Sequence, residues 1–269
     1  MEKKVRHILA LSGGKDSSAL AIYMRSKGID MEYVFCDTGE ELEETYEYIS
    51  KLQSYLCQRI AWLKSEKDFQ YYLDLYSGVL PDANTRWCTR MLKLKPYERY
   101  IGSDEVISYV GIRADEAQRK GYISTKPNIK TVFPFVEDNI VKEDVYRILN
   151  ESGLGVPIYY NWRSRSGCYF CFFQQKREWI GLYENHPDLF EKAAAYEKIG
   201  SNSRDSYTWN QGESLYDLIK PERIAQIRAD YAKRLERDKN RFSAKQKLMD
   251  VFEECEVEGQ NKACLICHL

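Results

Sequence analysis

Short apolar runs alternate with amphipathic stretches along the first half of the chain. The apolar runs fall at 5–11, 31–36, 60–63, 105–110 and 131–135. Between them, apolar residues recur at helical spacing over 19–24, 42–56, 69–80 and 142–152. Brief apolar runs read as strands buried on both faces, and the longer periodic stretches as helices. Strands that alternate with helices predict an α/β fold: a doubly wound parallel sheet of five strands with helices on both faces. The segment Gly153-Leu154-Gly155-Val156-Pro157 breaks the pattern. It marks a boundary between a first domain, 1–160, and a smaller Cys-containing region, 161–269. That region reads as mainly helical, with helices at 177–183, 187–198 and, highly charged, from 222 to about 255. A polar loop over 202–212 carries Trp209.

The polar residues at the strand ends carry the chemistry. The first apolar run ends in Ser12-Gly13-Gly14-Lys15-Asp16-Ser17, and a helical run follows at once. Paired glycines let a backbone approach a ligand closely. A helix starting there aims unsatisfied N–H groups and its positive dipole end at an anion. Lys15 adds a mobile charge, Ser12 and Ser17 add hydroxyls, and Asp16 suits a divalent cation held between carboxylate and phosphate. The common nucleotide loop, Gly-x-x-x-x-Gly-Lys-Ser/Thr, does not fit, because Lys15 is followed by Asp16. The second run leads into Asp37-Thr38-Gly39, where Asp37 either meets a ribose or cation or caps the next helix. The fourth leads into Gly111-Ile112-Arg113, whose guanidinium suits bidentate recognition of an oxyanion. Several such ends converging on one crevice is how open α/β sheets bind ligands.

Composition narrows the setting. Of 269 residues, 43% are hydrophobic and 30% charged, and the net charge of −1 gives no global drive toward nucleic acid. No apolar stretch reaches the roughly 18 residues of a membrane span, and Met1-Glu2-Lys3-Lys4 lacks a signal-peptide core. A cytoplasmic protein is expected. Its eight cysteines then point to metal or catalysis instead of disulfides. Cys88 lies among Arg86, Arg90, Lys93 and Lys95, charges that favour a thiolate. Cys168 and Cys171 form one Cys-x-x-Cys pair in an aromatic wrap, and Cys264 and Cys267 form another near the end. Both pairs have metal-ligand spacing, so zinc held by all four is one arrangement, although the pairs are far apart.

Together, Ser12-Gly13-Gly14-Lys15-Asp16-Ser17, Asp37-Thr38-Gly39, Arg86-Trp87-Cys88-Thr89, Gly111-Ile112-Arg113 and Gly167-Cys168-Tyr169-Phe170-Cys171 resemble the phosphoadenosine phosphosulfate (PAPS) reductase family of the PP-loop ATP pyrophosphatases. The resemblance implies an adenine nucleotide alpha hydrolase-like sheet. It implies ATP bound on Ser12, Gly13, Gly14, Lys15, Asp16 and Ser17, with Asp37, Thr38 and Gly39 beside it and Mg²⁺ near Asp16. Lys15, Asp16 and Arg113 would be catalytic. Cys88, Cys168 and Cys171, with Cys267 or Cys264 as fourth ligand, would hold a four-iron four-sulfur cluster; zinc is the alternative. Cys88 is followed by Thr89, not by a second Cys. That pattern is closer to the ATP pyrophosphatases of DNA phosphorothioation, which implies adenylation of an acceptor oxygen for sulfur insertion. DNA and a sulfur-donor protein such as a cysteine desulfurase would then be partners. Two other functions remain open: a thiol-dependent reductase of PAPS or adenosine phosphosulfate (APS) acting through Cys264 or Cys267, and a zinc-stabilised nucleotide-binding regulatory subunit.

Overall fold

The computed structural model describes residues 5–116, 124, 126–200 and 207–241. These fall into two compact units, one formed by residues 5–75 and 86–168 and the other by 76–85 and 169–241.

The first unit is built on five parallel strands in the order β3-β2-β1-β4-β5. They are β1 (Arg6–Leu11), β2 (Glu32–Asp37), β3 (Ile60–Lys64), β4 (Val106–Tyr109) and β5 (Ile129–Val132). β1 is central, with Leu9 paired to Tyr33 of β2 and to Tyr109 of β4. Alternate residues of β1 point to opposite faces. Leu9 and Leu11 pack with α1 (Lys15–Ser26), α2 (Glu43–Leu56) and α7 (Lys142–Glu151) through Ala19, Leu20, Ile49, Leu52, Val145 and Leu149. Ile8 and Ala10 pack on the other face against Tyr97 and Ile101 of α5 (Lys95–Ile101). Burial on both faces explains why these strands read as unbroken apolar runs.

Local chemistry sets the element ends. α2 stops where Cys57 adopts φ 50° and donates its N–H to Ser54. α7 starts where Asp144 accepts the Val141 N–H at 3.1 Å. α3 (Phe69–Leu75) stops short of the expected residue 80; Ser77 and Gly78 then take positive φ, which a helix cannot continue through. The fifth strand lies earlier than the expected 131–135. It ends at Val132, and Pro134 opens the short helix α6 (Pro134–Glu137), its fixed φ suiting a first helical position. α4 (Trp87–Thr89) runs through a π-helical turn (Arg90–Leu94) into α5.

β1 marks the switch point of the sheet: β2 and β3 extend to one side of it, β4 and β5 to the other. The crevice outside the carboxyl ends of β1 and β4 is where such sheets bind ligands. The Ser12 loop, Asp37 and Gly111–Arg113 all follow strand ends on that side.

In the second unit, α8 (Lys176–Asn185), α9 (Pro187–Ala195), α10 (Leu215–Leu218) and α11 (Pro221–Arg241) enclose an aromatic core. Trp209 stacks on Phe170 at 5.3 Å and donates its indole N–H to the Ala193 carbonyl at 2.8 Å. The tryptophan expected in a polar loop is therefore a core residue. The long charged helix is described as far as Arg241. No helix among the described residues is long and apolar enough to cross a membrane.

Candidate functional site: the Ser12–Ser17 loop

The turn after β1 is tied by its own hydroxyls. Ser17 Oγ accepts the Ser12 N–H at 3.2 Å and bonds to the Gly14 carbonyl, and Ser12 Oγ accepts the Gly14 N–H at 3.3 Å. Ser12 and Ser17 thus shape the turn. Gly13 has φ +72°, and a Cβ there would lie 2.5 Å from Thr45 Cγ2, so any side chain would be both strained and crowded. α1 then begins at Lys15, with Gly14 supplying no capping side chain.

Asp16 and Arg113 come together across the crevice. Arg113 Nη1 lies 2.9 Å from Asp16 Oδ1, and Lys15 Nζ lies 2.6 Å from Oδ2. Arg113 also pairs with Asp115 at 2.9 Å and Glu116 at 2.9 Å. Burial works against its charge, but the bonds to Asp115 and Asp16 outweigh that and raise its pKa. The expected catalytic set of Lys15, Asp16 and Arg113 is therefore one ion network. Its cations rest on the carboxylates of Asp16, Asp115 and Glu116.

Asp37 ends β2. Its Oδ1 accepts the Gly39 N–H at 2.8 Å and the Tyr46 hydroxyl at 2.9 Å, and Oδ2 pairs with Lys64 at 2.9 Å. It closes the Asp37-Thr38-Gly39 turn instead of capping α2, whose cap position is Leu42. Thr38 donates to Glu41 Oε1 at 3.1 Å and lies 3.2 Å from Cys168 Sγ. The Cys168 thiol also faces Glu41 Oε1 at 3.7 Å. Glu41 has a side chain only 1% exposed, lies 3.8 Å from Lys93 Nζ, and leaves Oε2 without a hydrogen-bond partner among the described residues. Lys93 belongs to the π-helical turn, a feature common at functional sites. Of the basic residues around Cys88, Lys93 thus points to a buried carboxylate, while Arg90 and Lys95 are exposed.

Cys88 and Cys168 lie in the first unit and Cys171 in the second. Cys264 and Cys267 lie outside the described residues. Among the described residues no three His, Cys, Asp or Glu side chains gather in a way that holds a metal.

Sequence reasoning missed Glu41, Tyr159, Tyr160, Arg163 and Ser166. The Tyr159 hydroxyl donates to the Gly13 carbonyl at 2.7 Å, and Tyr160 accepts the Lys15 N–H at 3.1 Å. Ser166 donates to Ser12 Oγ at 3.1 Å. About 150 residues separate the partners, so no local spacing could have announced them.

A parallel sheet with a glycine turn and helix N-terminus at its switch point defines a Rossmann-like α/β domain. Residues 6–173 match the phosphoadenosine phosphosulfate reductase domain, more than half of the chain, and the chain belongs to that family within the PP-loop superfamily. It is 29% identical over 198 residues to an uncharacterised protein of Methanocaldococcus jannaschii, covering 69% of this chain and 40% of that relative. It is 24% identical over 217 residues to a tRNA-specific 2-thiouridylase of Pediococcus pentosaceus, covering 67% of this chain and 55% of the enzyme. This chain therefore spans about half or less of the length of these two relatives. The solved PAPS reductase of Candida auris, in complex with phosphate, aligns with a TM-score of 0.48 at 16% identity, over 61% of this chain and 82% of that one.

Proposed function

We propose that the chain is an ATP pyrophosphatase that activates an acceptor oxygen for replacement by sulfur. The observation that carries this reading is the Ser12–Ser17 loop opening α1 at the switch point, with the Lys15–Asp16–Arg113 network beside it. ATP lies with its phosphates at the α1 N-terminus. The acceptor oxygen attacks the α-phosphorus, the bond to the β-phosphate breaks, and pyrophosphate leaves. A sulfur nucleophile then displaces AMP from the adenylated acceptor. The protein contributes positioning and charge: Lys15 and Arg113 shift part of their hold from Asp16 to the departing pyrophosphate. The likeness to a tRNA-specific 2-thiouridylase supports sulfur insertion on a nucleic-acid acceptor. The acceptor proposed is a DNA phosphate, as in phosphorothioation, approached by Arg86, Arg90 and Arg165, with a cysteine desulfurase as sulfur donor.

Both Asp16 oxygens face cations, Lys15 Nζ and Arg113 Nη1, so Asp16 would hold Mg²⁺ only as those cations move onto the phosphates. For an iron–sulfur cluster or zinc, Cys88, Cys168 and Cys171 would be joined by Cys264 or Cys267, which lie outside the described residues.

The family match itself favours a second reading, reduction of PAPS or APS to sulfite. Product analysis separates the two. Pyrophosphate and AMP from ATP, with sulfur entering DNA when a desulfurase and cysteine are supplied, support the first. Sulfite from a sulfonucleotide, with no pyrophosphate from ATP, supports the second.

A further inference from the structure

The amide on which a phosphate oxygen would rest is already taken. α1 starts at Lys15 after the cap residue Gly14, which has no capping side chain, and its first N–H, from Lys15, donates to the phenol oxygen of Tyr160 at 3.1 Å. First-turn amides are the groups a helix offers to an anion. Tyr160 OH is therefore a rival of phosphate for one donor.

Neighbouring contacts fasten the same segment to the same loop. Tyr159 OH donates to the Gly13 carbonyl, and Ser166 Oγ donates to Ser12 Oγ. The Tyr159 and Tyr160 rings stack at 5.0 Å. A Cβ on Gly14 would lie 2.6 Å from Ser166 Oγ, so the segment is seated directly on the glycine turn. Lys15 Nζ is parked on Asp16 and 5.7 Å above the Tyr160 ring.

The segment is also tied along its length. Arg163 is 1% exposed; its backbone N–H donates to the Tyr159 carbonyl, and its guanidinium donates to the Gly167 and Cys168 carbonyls at 2.9 and 2.7 Å. Movement at Tyr160 therefore reaches Cys168, whose thiol rests against Thr38 and Glu41.

We propose that residues 159–168 form a latch that competes with a pyrophosphate-bearing nucleotide for the Ser12–Ser17 loop, and that ligand binding releases this latch from Tyr160 through to Cys168. The proposal rests on the nucleotide reading of that loop.

Titration calorimetry with inorganic pyrophosphate and with ATP, on wild type, Tyr160→Phe and Ser166→Ala, tests it. Each variant deletes one latching hydroxyl, and a melting curve shows that it is folded. Losing one such hydrogen bond from the closed form is expected to tighten pyrophosphate binding about fivefold. In wild type, pyrophosphate is expected to speed hydrogen exchange in peptides covering 159–168. Equal or weaker binding by both folded variants, or exchange in 159–168 that pyrophosphate leaves unchanged or slows, overturns the latch while the nucleotide reading stands. If neither wild type nor variants bind pyrophosphate or ATP, both fall. Binding by the variants alone is the strongest support.

Discussion

Arg113 Nη1 stands 2.9 Å from Asp16 Oδ1, joining the end of β4 to the first turn of α1. Both side chains are nearly inaccessible, at 6% and 9% exposure. The pair fixes the Ser12–Ser17 loop against the neighbouring strand end, so it links stability to the candidate site. Asp16→Asn removes the charge and leaves Arg113 its bonds to Asp115 and Glu116. Because those partners remain, the cost should stay near the lower range for a damaged buried hydrogen bond, about 1–3 kcal/mol. Urea unfolding checks this, and an unchanged midpoint would show that the pair contributes nothing.

Gly111 explains why the β4 end can approach so closely. A Cβ there would lie 3.1 Å from the Asp16 carbonyl carbon and oxygen and 3.3 Å from the Ser17 nitrogen. Those are backbone atoms and cannot swing aside. Gly111→Ala is expected to cost about 1–3 kcal/mol through overpacking and to weaken ATP binding by displacing the α1 N-terminus. Calorimetric titration of the folded variant with ATP reads the second effect; wild-type affinity would contradict it.

How much of this was legible beforehand follows from range. The strand ends and the glycine turn are local, so apolar runs and the Ser12–Ser17 spacing announced them. Asp16 and Arg113 could be named as candidate site residues, but not as partners, because 97 residues separate them. Tyr160 and Ser166 carried no signal at all: a tyrosine beside another tyrosine, and a serine in a polar loop, read as ordinary packing until the fold set them on Lys15 and Ser12. Trp209 misled for a similar reason. Its loop is polar, but Phe170 and Ala193, distant in sequence, bury it. The fifth strand was placed late because Phe133 and Phe135 flank Pro134 as a strand would, whereas the proline opens a helical turn.

The second unit has its own acid–base signature. Glu197 accepts the Trp209 and Leu215 N–H groups at 3.0 and 2.8 Å. Burial raises its pKa against the opposing pull of those two bonds. The folded chain therefore holds this proton more tightly than the unfolded chain does. The stabilisation is full below the unfolded glutamate value, about 4.3, and is lost as pH rises through the folded value. Glu197→Gln cannot ionise. The melting temperature of wild type minus that of the variant should fall as pH is raised from 4 to 7. A difference that stays flat or grows would contradict the raised pKa.

The central claim is that the Lys15–Asp16–Arg113 network serves the splitting of ATP at its α-phosphate. Pyrophosphate release from ATP, with and without DNA, measured for wild type and Asp16→Asn below the melting temperature of the variant, tests it most directly. With DNA, a cysteine desulfurase and cysteine all present, wild type is expected to release pyrophosphate and AMP in equal amounts, and the variant to do so about a hundredfold more slowly, the scale on which one misplaced electrostatic group acts. Equal rates in the two proteins, or sulfite from a sulfonucleotide with no pyrophosphate from ATP, would contradict it.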